Sequence, residues 1–431
     1  MKVLYPKQQE AAEFFISTLS SGKCSIDTSS VGTGKTVVAA YVAKKLECPV
    51  AVICPKSVIP AWERELEDMG VTPLFVMNYE RIRMGKTEFM SKRGKKIMTW
   101  NLPENTIVLV DEIHKTKGHY TQNSQLVISL KQQGFRIHGM SATACEDPTE
   151  MRAIGYMLDL HNLNKKEGAK QSWYGWMLAK GCHKDQWNQW RLITRKHLPK
   201  IRETIYGVTG HKLTVEDFPD SFRANRVFVE PTRFSNTKDI VKAYSDLGIT
   251  PSIVKSFILD KSSVLDNEHV IVDILRARQL AESFKIMDLA NMAEDLIEQG
   301  NSVVIFVNFK ESIDALCKQL GCGRIDGGQT GKSRQDVIDA FQLDNEHVVV
   351  ANIAAGGTGV SLHDVNGSRP RVSLISPTFS AKDHLQTLGR IHRNGAKSDA
   401  IQKILITEGS IEETVMKTID RKIKNLEALH G

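Results

Sequence analysis

The chain has 431 residues, 41% of them hydrophobic and 25% charged, and a formal net charge of +7 at pH 7. That length gives room for two to three domains at roughly 150 residues each, and the composition is that of a soluble globular protein. No run reaches the ~18 apolar residues of a membrane span, and Met1-Lys2-Val3-Leu4-Tyr5-Pro6 does not read as a signal peptide.

A cytoplasmic protein is therefore expected, nucleoid-associated or in a host cytoplasm if viral. Cysteines 24, 48, 54, 145, 182, 317 and 322 are scattered without Cys-x-x-Cys spacing. They read as free thiols, with neither a disulfide framework nor a zinc site. The positive balance mildly favours a polyanionic partner.

In chain order, Leu4-Tyr5-Pro6-Lys7-Gln8-Gln9 leads into a helix with Phe14, Phe15 and Leu19 on its apolar side. Gln8 reads either as an amide for the adenine edge, offering a donor and an acceptor together, or as an ordinary surface glutamine. Cys24-Ser25-Ile26 reads as a buried strand. Ser29-Ser30-Val31-Gly32-Thr33-Gly34-Lys35-Thr36 follows, and then a helix through Val37–Ala43.

Strand, glycine loop and helix form the context of a phosphate-binding loop. Gly32 and Gly34 permit turns closed to other residues, so the N–H groups around Thr33 can face phosphate oxygens. Lys35 would reach the β- and γ-phosphates, and the Thr36 hydroxyl would ligate Mg²⁺. Position 29, glycine in the full pattern, is serine here.

Val50–Cys54 reads as a strand, Val58–Leu66 as a helix with Trp62 on its apolar side, and Leu74–Val76 as a strand. The basic stretch Ser91–Lys96 suits either a phosphate backbone or plain solvation. Thr106–Val110 is a strand of the kind buried in a parallel sheet, ending in Asp111-Glu112-Ile113-His114. Adjacent carboxylates at such a place are expensive unless they serve a metal or a reaction. Asp111 can hold Mg²⁺ while Glu112 orients the attacking water. Arg136–Met140 is a further strand, and the hydroxyls of Ser141-Ala142-Thr143 either report on the carboxylate loop or mark a simple turn.

From 161 to 285 the strand–helix alternation breaks. Residues 161–212 hold Trp173, Trp176, Trp187 and Trp190, with eleven Lys/Arg against three Asp/Glu. Spacing by three favours a helical core face for the tryptophans, and part of the charge suits a nucleic-acid backbone. Alternation resumes with a strand at Asn301–Val307, a helix at Lys310–Leu320, a turn at Arg324–Gly328 and a helix at Lys332–Phe341. A strand at His347–Ala351 then leads to a second glycine loop at Ala354–Val360, and Val372–Ile375 is a further strand. A helix from near Ser380 is expected to carry Gln386, Arg390 and Arg393. The two arginines fall three apart on one helical face, for phosphates or for surface salt bridges.

Gln8, Gly-x-Gly-Lys-Thr, Asp-Glu-x-His, Ser-Ala-Thr, Gly-x-Gly and Gln-x-x-Gly-Arg-x-x-Arg occur here in one order. That series resembles superfamily 2 helicases and translocases over nearly the whole chain, with the nearest likeness to the Swi/Snf family. The likeness extends through Val52–Glu65, Arg195–Lys200, Asp326–Phe341, Arg390–Gly395 and Gly409–Thr414. Ser29 departs from the acidic residue usual in that family. Ser141-Ala142-Thr143 is nearer the Asp-Glu-Ala-Asp-box helicases, and Ala396 replaces a frequent glutamine. These departures bear on nucleosome remodelling more than on ATP hydrolysis.

The resemblance implies an α/β fold of two RecA-like parallel-sheet lobes in tandem (1–160 and 286–431), with a mainly helical, basic segment at 161–285. It implies ATP and Mg²⁺ held by Gln8, Gly32, Thr33, Gly34, Lys35, Thr36, Asp111 and Gly359. Glu112 would act on water, and Arg390 and Arg393 would serve as arginine fingers. His114, Ser141, Thr143, Thr358 and Gln386 would couple the nucleotide to nucleic acid. The activity implied is DNA-dependent ATP hydrolysis by a monomer or transient oligomer that tracks along double-stranded or branched DNA. A strand-separating or branch-migrating helicase on DNA or RNA is the alternative, and a catalytically dead DNA-binding module a remote one.

Overall fold

A computed structural model describes residues 3–93, 97–118, 120–164, 170–185, 188–259, 268–354 and 360–431. Thr358, Gly359 and Trp187, named above, lie outside the described residues.

The apolar runs at Val50–Cys54, Ile107–Val110 and Val303–Val307 lack polar alternation, so each requires cover on both faces, as central parallel strands have. The fold meets that requirement twice. One six-stranded sheet contains β1 (Ser25–Asp27), β2 (Val50–Cys54), β3 (Phe75–Asn78), β6 (Ile107–Asp111), β7 (Arg136–Met140) and β10 (Gly210–His211). Its order is β10-β1-β7-β6-β2-β3, all parallel. Two antiparallel hairpins lie outside it, β4 (Met90–Arg93) with β5 (Ile97–Trp100), and β8 (Cys182–Lys184) with β9 (Trp190–Leu192).

The second sheet is built from β11 (Asn225–Thr232), β12 (Ser302–Val307), β13 (Gly323–Ile325), β14 (Val348–Asn352), β15 (Arg371–Ile375) and β16 (Ala400–Thr407). Its order is β11-β16-β15-β12-β14-β13, again all parallel. Helices such as Lys35–Leu46 and Lys310–Leu320 return the chain between strands, which is the only short route between parallel neighbours. The α/β class and the two parallel sheets in tandem are thus as expected. Among the described residues no helix is long and apolar enough to cross a membrane.

The chain divides into two compact units, residues 1–217 with 424–431, and residues 218–423. The division falls inside the 161–285 stretch, which supplies one edge strand to each sheet, β10 and β11. Reading that stretch as mainly helical missed both. At β10 the strand is two residues long and depends on glycine, since a Cβ on Gly210 would stand 2.6 Å from the Ile205 side chain and 3.1 Å from that of Ile26. At β11 the strand carries Pro231, tolerated because only one side of an edge strand needs N–H donors. The turn read at Arg324–Gly328 begins instead inside β13, where Ile325 is fully buried.

Trp173 and Trp176 lie in the core of the first unit, as their spacing suggests, while half-buried Trp190 stacks on Tyr174 at 5.7 Å. In the basic hairpin, Lys92 Nζ donates to the Arg83 carbonyl and to Gln122 Oε1, which ties one cation of that stretch to the protein itself. All seven cysteines are free thiols.

Within the second unit Lys285 and Glu412 form a buried ion pair. Lys285 Nζ lies 2.7 and 2.6 Å from the two carboxylate oxygens, and Glu412 also accepts from Thr407 N at 2.7 Å. Removing one partner leaves the other charge buried and uncompensated. Lys285→Ala is expected to destabilise this unit by about 3–5 kcal/mol, and Lys285→Met with Glu412→Leu by much less, as read by urea unfolding.

Candidate nucleotide site

The loop between β1 and the helix from Lys35 closes on itself. Gly32 and Gly34 have φ of 86° and 92°, the left-handed region that glycine adopts without penalty. Lys35 Nζ donates to the carbonyls of Ser29 (2.6 Å) and Ser30 (3.0 Å), folding its charge back over the loop. Thr33 Oγ1 donates to Ser30 O, and Thr36 sits in the first turn of the helix, whose N–H groups and dipole favour an anion. Ser29 has a local reason to be serine. Its hydroxyl accepts from Leu213 N at 2.8 Å, joining the loop to the segment after β10.

Gln8 is 4% exposed, so the surface reading fails. Its Nε2 donates to the Thr33 carbonyl at 2.8 Å and its Oε1 accepts from Tyr5 N at 3.1 Å. A Cβ on Gly34 would lie 2.4 Å from Gln8 Nε2, so the loop needs glycine there for packing as well as for its turn.

At the end of β6, Asp111 is bracketed by donors. Trp62 Nε1 donates to Oδ2 and Glu112 N to Oδ1, both at 2.9 Å, and Tyr79 Oη donates to the Asp111 carbonyl at 2.6 Å. Burial and the neighbouring Glu112 charge push the Asp111 carboxyl up to about 6. The Trp62 hydrogen bond and the Lys35 charge hold it down. A hard divalent cation would relieve that cost, and a carboxylate oxygen is a ligand type that suits Mg²⁺.

Glu112 itself has φ 52°, a conformation sparsely populated by non-glycine residues. Strain of that kind, of order 1–3 kcal/mol, persists where surrounding contacts over-determine it. The contacts are present: Glu112 Oε2 lies 3.0 Å from His114 Nδ1 and 3.4 Å from the Ser141 hydroxyl. Ser141 Oγ is also 2.9 Å from His114 Nδ1 and accepts from Thr143 N at 3.2 Å. The loop after β7 is therefore bonded to the carboxylate loop and is not a simple turn. Thr143 takes part through its backbone, and its own hydroxyl has no partner among the described residues.

Trp62 and Tyr79 leave only a faint signal in the sequence, a tryptophan amid helical charge and a tyrosine just beyond a strand end, because their N–H and O–H groups meet Asp111 only in the fold.

In the second unit, Gln386 is buried on the helix Ala381–Leu388. Arg390 and Arg393 do not share a helical face, because that helix stops at Leu388. Gly389 is a poor continuation, with no side chain to offset its backbone entropy, and the Arg390 carbonyl is taken by Leu362 N at 2.9 Å. The pair is gathered in another way. Arg390 Nη1 (3.1 Å) and Arg393 Nη2 (3.0 Å) both donate to the Val360 carbonyl, and Arg393 Nε donates to Gly389 O. Burial lowers the Arg393 guanidinium to about 10, so it stays charged at neutral pH. Arg390 is buried and Arg393 half-buried, so neither stands out on the surface as their spacing allows.

A closed glycine loop with its lysine, a carboxylate pair on a buried parallel strand, and a hydroxyl loop bonded to that pair define a P-loop ATPase of the helicase type. Residues 285–395 match the family described as Helicase conserved C-terminal domain. A protein of Acanthamoeba polyphaga mimivirus named as an ATP-dependent RNA helicase is 30% identical over 99% of this chain and 83% of its own length. A CHD3-type chromatin-remodeling factor of Arabidopsis thaliana is 23% identical over 97% of this chain. A SWI/SNF-related matrix-associated actin-dependent regulator of chromatin subfamily A-like protein 1 of Xenopus tropicalis is 23% identical over 98%. The chain spans only 37% and 44% of those two relatives. A solved SWI2/SNF2 ATPase core of Sulfolobus solfataricus in complex with dsDNA covers 94% of this chain and 88% of its own, at 17% identity and a TM-score of 0.37.

The chain belongs to the Swi/Snf-like branch of the superfamily 2 helicases, nucleic-acid-dependent ATPases that use ATP as fuel.

Trp62→Phe keeps the ring bulk and removes the N–H from Asp111. Loss of a donor to a carboxylate raises its pKa, so the acid limb of ATP turnover at low, fixed Mg²⁺ is expected to move to higher pH by about half to one unit. A pH profile of kcat/KM reads this, and the alkaline limb stays in place.

Proposed function

We propose that this chain is an ATP-driven translocase on double-stranded DNA, hydrolysing ATP to ADP and phosphate as it moves along the duplex. The observation that supports the motor most directly is the bonded set Glu112–His114–Ser141. It ties the group suited to orient water to a loop that leaves a neighbouring strand, so turnover and loop position depend on each other. The preference for duplex DNA rests on the Swi/Snf likeness.

In this reading Lys35 binds the β- and γ-phosphates, and Gln8, already packed on the loop, meets the adenine. Thr36 and Asp111 would hold Mg²⁺, which when bound neutralises phosphate charge. Glu112 takes hold of the attacking water, and Arg390 and Arg393 supply positive charge to the transferred phosphoryl group. Thr358, Gly359 and Gln386 stand as candidate couplers to nucleic acid or nucleotide.

A second reading, a strand-separating helicase acting on RNA or DNA, is favoured by one finding, the RNA-helicase name of the viral relative.

Steady-state ATPase assays with duplex DNA, branched DNA, single-stranded DNA and RNA, at one stated salt concentration, separate the two. Strong stimulation by duplex DNA is expected. Stimulation confined to single strands or RNA would replace the translocase by the helicase. Lys35→Ala is expected to weaken ATP binding, and Glu112→Gln to retain binding while losing turnover. Arg393→Ala is expected to keep nucleotide affinity near wild type and to lower stimulated turnover by at least ~10³. Wild-type rates in either of the last two variants would remove the assigned role.

A further inference from the structure

Residues 424–431 belong to the first unit although the helix Glu412–His430 starts in the second. Leu429 is buried in the first unit's core, and His430 is 3% exposed. The His430 imidazole is sandwiched between two polar partners. Its Nε2 lies 2.8 Å from the Cys145 carbonyl, and its Nδ1 lies 2.7 Å from Tyr206 Oη. Tyr206, just past the helix Leu198–Ile205, in turn lies 2.5 Å from Thr28 Oγ1. Thr28 is 1% exposed and sits between β1 and Ser29, the first residue of the phosphate-binding loop.

Donor and acceptor chemistry fixes the direction of this chain. A carbonyl can only accept, so His430 carries its proton on Nε2 and donates to Cys145. Burial pulls the His430 pKa down to about 4, so the ring is neutral and its Nδ1 is a lone pair. That lone pair accepts from Tyr206 O–H, and Tyr206 Oη is left to accept from Thr28 O–H. One line of protons therefore runs Thr28 to Tyr206 to His430 to the Cys145 carbonyl. Chains aligned in this way polarise one another and strengthen each link.

The two ends of the line are the significant points. Thr28 is the root of the loop that holds Lys35, and its N–H is bonded to the His211 carbonyl of β10. Cys145 closes the loop that leaves β7 through Ser141 and Thr143, the loop bonded to Glu112. Phosphate loop and water-orienting loop are otherwise joined by strand pairing beneath them, as at Ser141 N to Asp27 O.

We propose that Tyr206 and His430 are positioning residues for ATP turnover, holding the root of the phosphate-binding loop and the Ser141 loop at one fixed separation. The proposal deepens the ATPase reading and rests on it for its catalytic readout. Neither residue is among those assigned to the nucleotide. Lys35 and the N–H groups of its loop bind phosphate without them, so ground-state affinity is spared. The alignment of Glu112 with the phosphoryl group depends on both loops, so kcat is what suffers. Anything that lifts residues 424–431 from the first unit would slow hydrolysis without releasing ATP.

The test uses the full chain with Tyr206→Phe, which removes one hydroxyl and keeps the ring, together with His430→Ala and the double variant. Expected for Tyr206→Phe is a fall in stimulated kcat of about ten- to a hundredfold, with KM and directly measured ATP affinity within about twofold. Because both side chains serve one line, the double variant should lose little more than the worse single one. Hydrogen exchange without nucleotide supplies a readout free of hydrolysis. Peptides over 25–36 and 141–147 should both exchange faster in Tyr206→Phe, by on the order of tenfold.

If exchange rises in both loops while the wild type hydrolyses no ATP under any nucleic acid, the tether stands and the ATPase reading falls. Unchanged exchange in the two loops, unchanged kcat, or additive losses in the double variant would overturn the proposal.

Discussion

Ionised carboxylates at the end of a strand buried on both faces are unfavourable, and the first unit is arranged around making them tolerable. Asp111 is half-buried at the end of its strand, and its raised pKa reflects the cost of that desolvation beside Glu112. The cost is limited by donors that come from different parts of the chain: Trp62 on a helix, Tyr79 past a strand end, and the Glu112 backbone. Glu112 is turned away from the strand by a left-handed backbone and met there by His114 and Ser141. Lys35 is the positive charge that holds the Asp111 pKa down, and a further cation would lower it more.

The second unit presents the opposite sign of the same problem. Buried Arg390 and half-buried Arg393 converge on one carbonyl, Val360. Both are held in place, and Arg393 stays protonated despite its lowered pKa. A pair of cations kept partly desolvated interacts more strongly with an arriving phosphate than solvated ones would. Deeper in the same unit, Lys285 and Glu412 neutralise each other inside the protein and fix the start of the helix that ends at His430. The second unit thus holds a buried ion pair, Lys285 with Glu412, and two guanidinium groups gathered on one carbonyl.

Much of the candidate site was legible because its parts are local. A phosphate-binding loop needs glycines, a lysine and a hydroxyl within a few residues, and a buried strand ending in two carboxylates advertises itself by its lack of alternation. Ambiguity remained wherever one residue type has two ordinary uses. Gln8 could have been a surface amide until its 4% exposure and its bond to Thr33 decided otherwise. Ser141 could have marked a turn until His114 and Glu112 were found on it. The arginines were read on a helix because spacing by three suggests one, but Leu362 N captured the Arg390 carbonyl, and a helix gives way when a tertiary partner competes for its backbone.

The amino-acid sequence by itself determined the parallel α/β class, the strands with continuous apolar runs, the glycine loop with its lysine and the carboxylate pair. Each of these follows from short-range chemistry, namely periodicity, backbone permissiveness and the cost of burying charge. Only the tertiary structure decided which distant groups complete them. Trp62 and Tyr79 reach Asp111, Gly210 lets a two-residue strand close the sheet, and His430 meets Tyr206 across 224 residues of sequence. Such contacts leave no periodic trace, because a hydrogen bond between remote side chains depends on where the folded backbone delivers them and not on what lies beside them in the chain.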